Sequence, residues 1–148
     1  MAVREDDMLQ LPGHYFSRIA KGMGRIADAR LRPFDLASAQ LPVLMLLKDG
    51  SARSQSELAR LVKVEQPSMA QLLARMQRDG LVARAPDPSD GRASLVSLTD
   101  KAKARLPGAR AELLRANADM TAGLSAEEVE TLLGLLRRVL ANIESLDP

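Results

Sequence analysis

A chain of 148 residues provides material for one globular domain, and its apolar residues, chiefly Leu, Ala, Val and Met, favour helices, so we predict a mainly α-helical fold. The absence of cysteine excludes disulfides, thiolate metal sites and thiol redox chemistry, and a single histidine, His14, supplies too little for metal catalysis. The net charge of +2 hides a basic middle third, because residues 51–106 carry 10 basic and 6 acidic side chains, a bias that suits phosphate backbones and also ordinary solvated surfaces.

The N-terminal segment Met1-Ala-Val-Arg-Glu-Asp-Asp is acidic, and no uncharged apolar run approaches the roughly 20 residues that cross a bilayer. We therefore expect a cytoplasmic protein without a membrane partner. Residues 12–32 predict a long first helix, whose apolar side chains recur at helical spacing until Pro33 ends it. A second helix is predicted from Ser38, a suitable N-cap, to the stop signal Asp49-Gly50.

A third helix is predicted to be short, from Ser54 to about Val62. Ser54 and Glu57 have the spacing of a capping box, in which each side chain bonds the other residue's backbone N–H. Pro67 then predicts the first turn of a fourth helix, because proline lacks an amide hydrogen and is tolerated there. Gly80 is the expected end of that helix.

The fourth helix has two distinct faces. Its apolar side chains lie on one side, and a polar stripe at spacings i, i+3, i+7 and i+10 consists of Ser68, Gln71, Arg75 and Arg78. Hydroxyl, amide and guanidinium groups along one line can contact base edges and bind phosphates. Taken alone, the pattern also fits a surface helix with a solvated face.

Two short β-like runs follow, residues 81–84 and 93–98, and the segment between them is rich in turn residues. They predict a hairpin with a long tip, residues 85–92. Arg92 lies two residues after Asp90, so the carboxylate could hold the guanidinium extended toward a narrow minor groove. An exposed turn salt bridge of little energetic value is the alternative.

The C-terminal part predicts two long helices. One begins at the N-cap Thr99 and runs toward Met120, with a kink expected at Pro107, and the other begins at a capping box formed by Ser125 and Glu128. Their apolar stripes, with that of the first helix, exceed what the middle of the chain can cover, so we predict that two copies pair. A monomeric helical bundle is the alternative.

In chain order these elements form a winged helix-turn-helix with N- and C-terminal dimerisation helices. Residues 8–34 and 107–148 are the predicted dimerisation region, and residues 35–106 the predicted DNA-binding region. The fourth helix would enter the major groove and the hairpin the neighbouring minor groove, so two copies would contact half-sites about one helical turn apart.

Three motifs resemble the MarR family of bacterial transcription regulators. The helix-turn-helix of that family is similar to Ser56-Glu-Leu-Ala-Arg-Leu, Glu65-Gln-Pro-Ser-Met-Ala and Asp79-Gly-Leu-Val. Its wing is similar to Asp90-Gly-Arg92 followed by Leu98-Thr99. The start of its last dimerisation helix is similar to Leu124-Ser-Ala-Glu-Glu128. The resemblance implies a homodimer that binds a pseudo-palindromic operator, more often as a repressor than as an activator. It also implies release from the operator by a small phenolic or other anionic molecule.

The resemblance implies major-groove contacts by Gln66, Pro67, Ser68, Gln71 and Arg75, and a minor-groove contact by Arg92. With Arg78 of the polar stripe and Asp90 of the hairpin, these complete the predicted DNA-binding set. Two positions depart from the family. Lys63 stands where many relatives have the glycine that ends the third helix, which predicts a strain of about 1 kcal/mol if the backbone is left-handed there. Gln71 stands where arginine is frequent, which favours adenine over guanine.

His14 and Arg18, one helical turn apart, could bind an anionic effector, although a pair at an interface is the simpler interpretation. Gly22-Met-Gly24 mimics a dinucleotide-binding fingerprint but follows no strand. We therefore expect neither catalysis nor a metal or cofactor.

Two other functions remain open: a winged-helix protein-interaction module, for which Arg75 and Arg92 would be dispensable, and architectural DNA binding that is indifferent to sequence.

Overall fold

The computed structural model describes residues 5–147. The elements are α1 (Pro12–Leu31), α2 (Leu41–Leu47), β1 (Arg53–Ser54), α3 (Gln55–Val62), α4 (Gln66–Arg78), β2 (Val82–Asp87), β3 (Asp90–Leu98), α5 (Asp100–Met120) and α6 (Ala126–Leu146), with 3-10 turns at Glu5–Gln10, Arg32–Phe34 and Ser38–Gln40. The predicted fold class is confirmed, since the chain is mostly helical and has one small three-stranded antiparallel sheet. Within residues 5–147, every helix is too short or too polar to cross a membrane.

The chain divides into two compact units, of which the first ends at Leu113 and the second begins at Leu114. The first contains α1 to α4, the sheet and the first part of α5. The second contains the rest of α5 and all of α6. The division by function, with dimerisation helices at 8–34 and 107–148 and a DNA-binding region at 35–106, stays a prediction.

One aliphatic core holds the first unit together. Its largest fully buried side chains are Leu31, Val43, Leu44, Leu47, Leu58, Met69, Leu73, Met76, Leu81 and Val96. Burial of each contributes roughly 1.5–3 kcal/mol. Because Met69, Leu73 and Met76 come from the apolar face predicted for α4, the core fixes which side of that helix is exposed.

The start of the second helix differs from the prediction. Ser38 is not an N-cap; Ala37 has the extended backbone of that position, and its N–H donates to Gln40 Oε1 at 2.9 Å. The Ser38 N–H donates to Asp28 Oδ1 on α1 at 2.7 Å, and this hydrogen bond is the main cause that lowers the pKa of Asp28. The amide is thus satisfied by a residue ten positions away, a tertiary contact that local sequence does not reveal.

The start of α3 forms only part of the predicted capping box. The Ser54 Oγ accepts from the Glu57 N–H at 3.2 Å, as predicted. The Glu57 carboxylate instead accepts from Arg53 Nη1 at 2.6 Å, because a guanidinium is a stronger partner than a neutral amide. At α6 the full box forms, with Ser125 and Glu128 bonded reciprocally at 2.8 and 3.1 Å.

The sheet has the order β1-β3-β2, with both pairs antiparallel. The two-residue strand β1 was not predicted. The long hairpin tip predicted at 85–92 is wrong, because β2 and β3 extend until only Pro88 and Ser89 separate them. Strand β2 is an edge strand, where the missing amide of Pro86 is tolerated. The hairpin β2–β3 is called the wing below.

Helix α5 begins at the predicted cap, since Thr99 Oγ1 accepts from the Ala102 N–H at 3.2 Å. It continues through Pro107 as one helix, and the kink expected there stays a prediction. The next residue, Gly108, lies against the Phe34 ring, where an added Cβ would be 3.0 Å from Cζ and nearer still to Cε1. Glycine at this position therefore allows close packing of the ring on α5.

Candidate nucleic-acid interface

The predicted DNA-contact residues lie on two elements of the first unit and are all exposed. Those on α4 are Gln66, Pro67, Ser68, Gln71, Arg75 and Arg78, and those on β3 are Asp90 and Arg92. The polar stripe of α4 is thus accessible along its full length, while the opposite face of the helix is buried in the core. An exposed line of amides and guanidinium groups can contact an anionic, hydrogen-bonding partner.

The turn from α3 into α4 depends on Lys63. This residue has φ 60° and ψ 48°, the left-handed conformation considered from the sequence, and its N–H donates to the carbonyls of Ala59 and Arg60. A side chain in this conformation costs about 1 kcal/mol relative to glycine. After the turn, Glu65 is extended and Pro67 lies in the first turn of α4, as predicted.

The wing tip is shaped by two short side chain to backbone hydrogen bonds. Asp87 Oδ1 accepts from the Ser89 N–H at 2.8 Å, and Asp90 Oδ1 accepts from the Arg92 N–H at 3.0 Å. The Asp90 carboxylate therefore closes a turn in the backbone, instead of making the expected contact with the Arg92 guanidinium, because an aspartate reaches the amide two residues on without strain.

Arg92 lies in an irregular part of β3. The β2 partner register passes from Pro86↔Ser94 directly to Asp87↔Asp90, so residues 91–93 have no β2 partner in this register. Such bulges change the direction of a side chain relative to a regular strand. The Arg92 side chain is exposed at this bulge.

The Arg84 guanidinium joins α3, α4 and both strands of the wing. Its Nε donates to Gln77 Oε1 at 3.2 Å, its Nη1 to Ser94 Oγ at 3.4 Å and its Nη2 to Gln55 Oε1 at 3.4 Å. Gln55 Nε2 in turn donates to Gln66 Oε1 at 3.3 Å. The sequence interpretation missed this set of contacts, although one signal was available.

That signal is the alternation of side chains along β2. Arg84 follows Val82 by two residues and therefore lies on the same face of the strand. Val82 is buried in the core, so the face that carries Arg84 is the one turned toward the rest of the first unit.

The end of α4 is also held by the start of α5. Lys101 Nζ donates to the Asp79 carbonyl at 2.7 Å, and Thr99 Oγ1 donates to the Gly80 carbonyl at 2.6 Å. A lysine at a helix C-terminus satisfies a free carbonyl and interacts favourably with the helix dipole. The position of α4 is thus fixed at both ends, by Gln55 through Gln66 at its start and by Arg84 and α5 near its end.

A second feature of the first unit is an open cleft of about 540 Å³. Its lining consists of Met45, Lys48, Asp49, Lys103, Leu106, Pro107 and Arg110. Hydrogen bonds from Ser51, chiefly from its side chain, lower the pKa of Asp49, so this carboxylate stays charged. Three cationic side chains with one carboxylate leave a positive balance, which suits an anionic ligand.

The ligand residues predicted from sequence lie outside this cleft. His14 and Arg18 are on α1, where the His14 ring packs edge-on against Tyr15 with centroids 5.9 Å apart. The cleft itself was missed, because its lining residues form no motif in the sequence. In the part of the chain that the structure describes, no cluster of three or more His, Asp or Glu is arranged to hold a metal ion.

Comparison with known proteins points to one family. A family model described as the MarR family matches residues 34–93. The chain is similar to a MarR mutant from E. coli complexed with operator DNA, with 27% identity, a TM-score of 0.83 and coverage of 93% of this chain and 99% of that one.

Two further solved structures are similar over nearly the whole chain. The transcriptional repressor CouR bound to a 23-mer DNA duplex has 26% identity and a TM-score of 0.82, covering 95% of this chain and 99% of that one. A probable transcriptional regulator from Pseudomonas aeruginosa has 30% identity and a TM-score of 0.79, covering 92% and 99% respectively.

Proposed function

Because the chain belongs to the MarR family, we propose that it is a homodimeric transcriptional repressor that binds a pseudo-palindromic operator and is released from it by a small phenolic or anionic molecule. One observation carries the DNA-binding part: the polar stripe of α4 and the wing Arg92 are exposed on one compact unit, whose core buries the other face of α4. Similar structures hold operator DNA or a DNA duplex.

The proposal divides the exposed residues by their chemistry. Gln66, Ser68 and Gln71 would contact base edges in the major groove, because amides and hydroxyls both donate and accept hydrogen bonds. Arg75 and Arg78 would bind backbone phosphates. Arg92 would enter the minor groove, where a narrow groove concentrates negative potential.

The dimer is supported by apolar side chains that one chain leaves exposed. On α1, Ile19, Met23 and Ile26 are 40–54% exposed, and on α6, Leu140 and Ile143 are each 55% exposed. A row of exposed apolar residues on a helix indicates a surface that another part of the assembly covers, and each of these helices carries one. A second copy supplies identical rows, which fits the two half-sites of a pseudo-palindrome.

The effector part is supported by the cationic cleft at α2 and α5. A carboxylate or phenolate could bind Lys48, Lys103 or Arg110 while Leu106 and Pro107 contact its apolar part. His14 and Arg18 remain the alternative site predicted from sequence. A repressor of this kind acts on DNA in the cytoplasm and needs no catalytic group, so the proposal includes a cytoplasmic location and no enzyme activity.

The central experiment is selection of bound DNA fragments from the source genome. Footprinting then measures which base pairs are protected, and light scattering measures the oligomeric state. The proposal expects a dimer that protects two half-sites about one helical turn apart. Affinity that is indifferent to sequence would instead support architectural binding. No binding to any duplex at physiological salt would support a protein-interaction module.

The effector site is tested by comparing two double variants on the selected operator. Lys48→Met with Arg110→Met should abolish release by a carboxylate-bearing effector if the cleft is the site. His14→Ala with Arg18→Ala should abolish it if the α1 pair is the site. Release that survives in both variants would contradict both assignments.

A further inference from the structure

Two hydrogen bonds in series connect Arg84, through Gln55, to Gln66, a predicted DNA-contact residue. In each bond the donor lies on the Arg84 side. Arg84 Nη2 donates to the Gln55 side-chain oxygen, and the Gln55 side-chain nitrogen donates to the Gln66 side-chain oxygen. Gln55 lies at the start of α3 and Gln66 is the first residue of α4. Gln66 is exposed, whereas Gln55 and Arg84 are half-buried.

The direction follows from the chemistry of the arginine. A guanidinium has five N–H donors, no acceptor and a positive charge that proteins do not remove. Gln55 must therefore turn its oxygen toward Arg84, which leaves its NH2 group on the side of Gln66. The Gln66 oxygen then faces Gln55, and the Gln66 NH2 group is the part left for an outside partner.

We propose that Arg84, acting through Gln55, fixes the orientation of the Gln66 amide so that Gln66 presents hydrogen-bond donors to the DNA. This inference rests on the proposed function, in which Gln66 contacts a base edge. Arg84 and Gln55 are positioning residues in it, since they act on the DNA only through Gln66.

Arg84 is itself well held for this role. Its other two contacts go to Gln77 near the end of α4 and to Ser94 on β3, at 3.2 and 3.4 Å. Because its partners come from three elements, the guanidinium cannot turn away from Gln55 without losing bonds to α4 or to the wing. The orientation of Gln66 is therefore set by the assembled unit and not by α4 alone.

The consequence is a preference for a base that presents acceptors. Guanine offers two acceptors in the major groove, O6 and N7, whereas cytosine offers the N4 amino donor. A Gln66 side chain with its NH2 group outward matches guanine and mismatches cytosine. With one hydrogen bond at stake, we expect about fivefold discrimination between the two at that position.

The sharpest test is Gln55→Glu, which should reverse the preference. A carboxylate can accept from Arg84 but has no donor for Gln66, so Gln66 must turn its NH2 group toward position 55 and its oxygen toward the DNA. Selection from a randomised duplex library should then shift from guanine to cytosine at one base pair. Gln66→Ala identifies that base pair, because it should relax the preference there and nowhere else.

Gln77→Glu is the matched control. It places the same negative charge on the same guanidinium, through Arg84 Nε, but has no link to Gln66. It should weaken binding to all sequences to a similar extent as Gln55→Glu and leave the preferred base unchanged. Arg84→Met should reduce the guanine preference about fivefold at the same base pair, to near indifference.

Thermal unfolding and light scattering of each variant separate these effects from loss of the fold or the dimer. A wild-type protein with an operator preference whose Gln55→Glu variant keeps the same base at the Gln66 position would overturn the inference and leave the proposed function standing. A Gln77→Glu variant whose base preference shifts as much as that of Gln55→Glu would overturn the inference as well. A wild-type protein without any sequence preference would overturn the proposed function, and this inference with it.

Discussion

At single positions, the proposed interface combines residues that would bind DNA for different physical reasons. Arg92 is an exposed cation on a bulged part of the wing, whereas Gln71 is a neutral amide in the middle of the α4 stripe. A cation that replaces counterions contributes to binding of every sequence, and an amide contributes only where a base edge matches it. The two substitutions should therefore differ in kind.

Arg92→Ala should weaken binding to operator and to unrelated DNA alike and lower the slope of log K against log salt concentration by about 1. Gln71→Ala should leave that slope unchanged and relax the preference at a single base pair. Titrations of both variants at several salt concentrations check this. Two variants that bind like the parent would show that the contacts are assigned wrongly.

Lys63 has a backbone conformation that lowers the stability of the fold relative to glycine at the same position. Its left-handed conformation joins α3 to α4, and the neighbouring amides are satisfied by the carbonyls at the end of α3. The conformation is required by the turn, since Val64 N–H bonds Ala59 O at 3.0 Å only when the chain reverses here. The cost is therefore a backbone strain, which arises because lysine has a Cβ atom and glycine does not.

Lys63→Gly should raise the free energy of unfolding by up to about 1 kcal/mol, because glycine adopts φ 60° without a Cβ clash. Lys63→Val should lower it, since a β-branched residue tolerates this conformation least. Urea denaturation of the two variants and the parent measures the order of their unfolding free energies. A glycine variant less stable than the parent would mean that the lysine side chain contributes more than the strain costs.

Among the elements, α5 connects the proposed DNA-binding face to the core of the first unit. Its start holds the end of α4 through Lys101 and Thr99, and further along, Gly108 packs against Phe34. The ion pair between Arg105 and Asp35, at 3.5 Å, joins α5 to the same turn after α1. The close approach at Gly108 is the part of this packing that tolerates least change, because a ring and a helix backbone meet there.

Gly108→Ala should destabilise the first unit by about 1–3 kcal/mol, because the added methyl group overlaps the Phe34 ring. Gly13→Ala is the matched control, since nothing lies within 4 Å of its added methyl group and alanine favours the helix. Thermal unfolding of the two variants measures the difference. Equal stability would show that Phe34 moves aside at no cost.

The molecule as a whole leaves apolar surface exposed that a single chain does not cover. The α6 helix has no buried residue among Ala126–Leu146, although leucine recurs along it. Such a helix gains its stability from packing, so exposure of its leucine side chains is the expected state of half an interface. In the proposed dimer each copy contacts one half-site, so we expect DNA affinity to depend on pairing.

Leu140→Lys should convert the dimer to a monomer at micromolar concentration, because it places a charge in the proposed apolar interface. Operator affinity should fall with it. Thr131→Lys introduces the same residue nine positions earlier, on the opposite side of α6, and should keep the dimer. Sedimentation equilibrium measures the oligomeric state of both variants. A Leu140→Lys variant that remains dimeric, or a parent that is monomeric, would contradict the pairing.

The sequence alone determined most of the local structure. The helix bounds of α1, α3 and α4, the two faces of α4 and the cap at Thr99 all follow from periodicity, capping and backbone preference, which act over a few residues. The motifs of the helix-turn-helix and wing also placed the chain in its family. The particular DNA contacts remain predictions.

Only the tertiary structure decided how side chains from distant elements meet. The Arg84 contacts to Gln55, Gln77 and Ser94, the cationic cleft and the Ser38 bond to Asp28 join residues that no local pattern relates. The short wing tip was decided in the same way, because β2 and β3 pair across a bulge as far as Asp87 and Asp90, further than their local propensity predicts. The physical reason is that local preferences fix backbone conformation, whereas a hydrogen bond between elements forms only when burial of the core has brought them together.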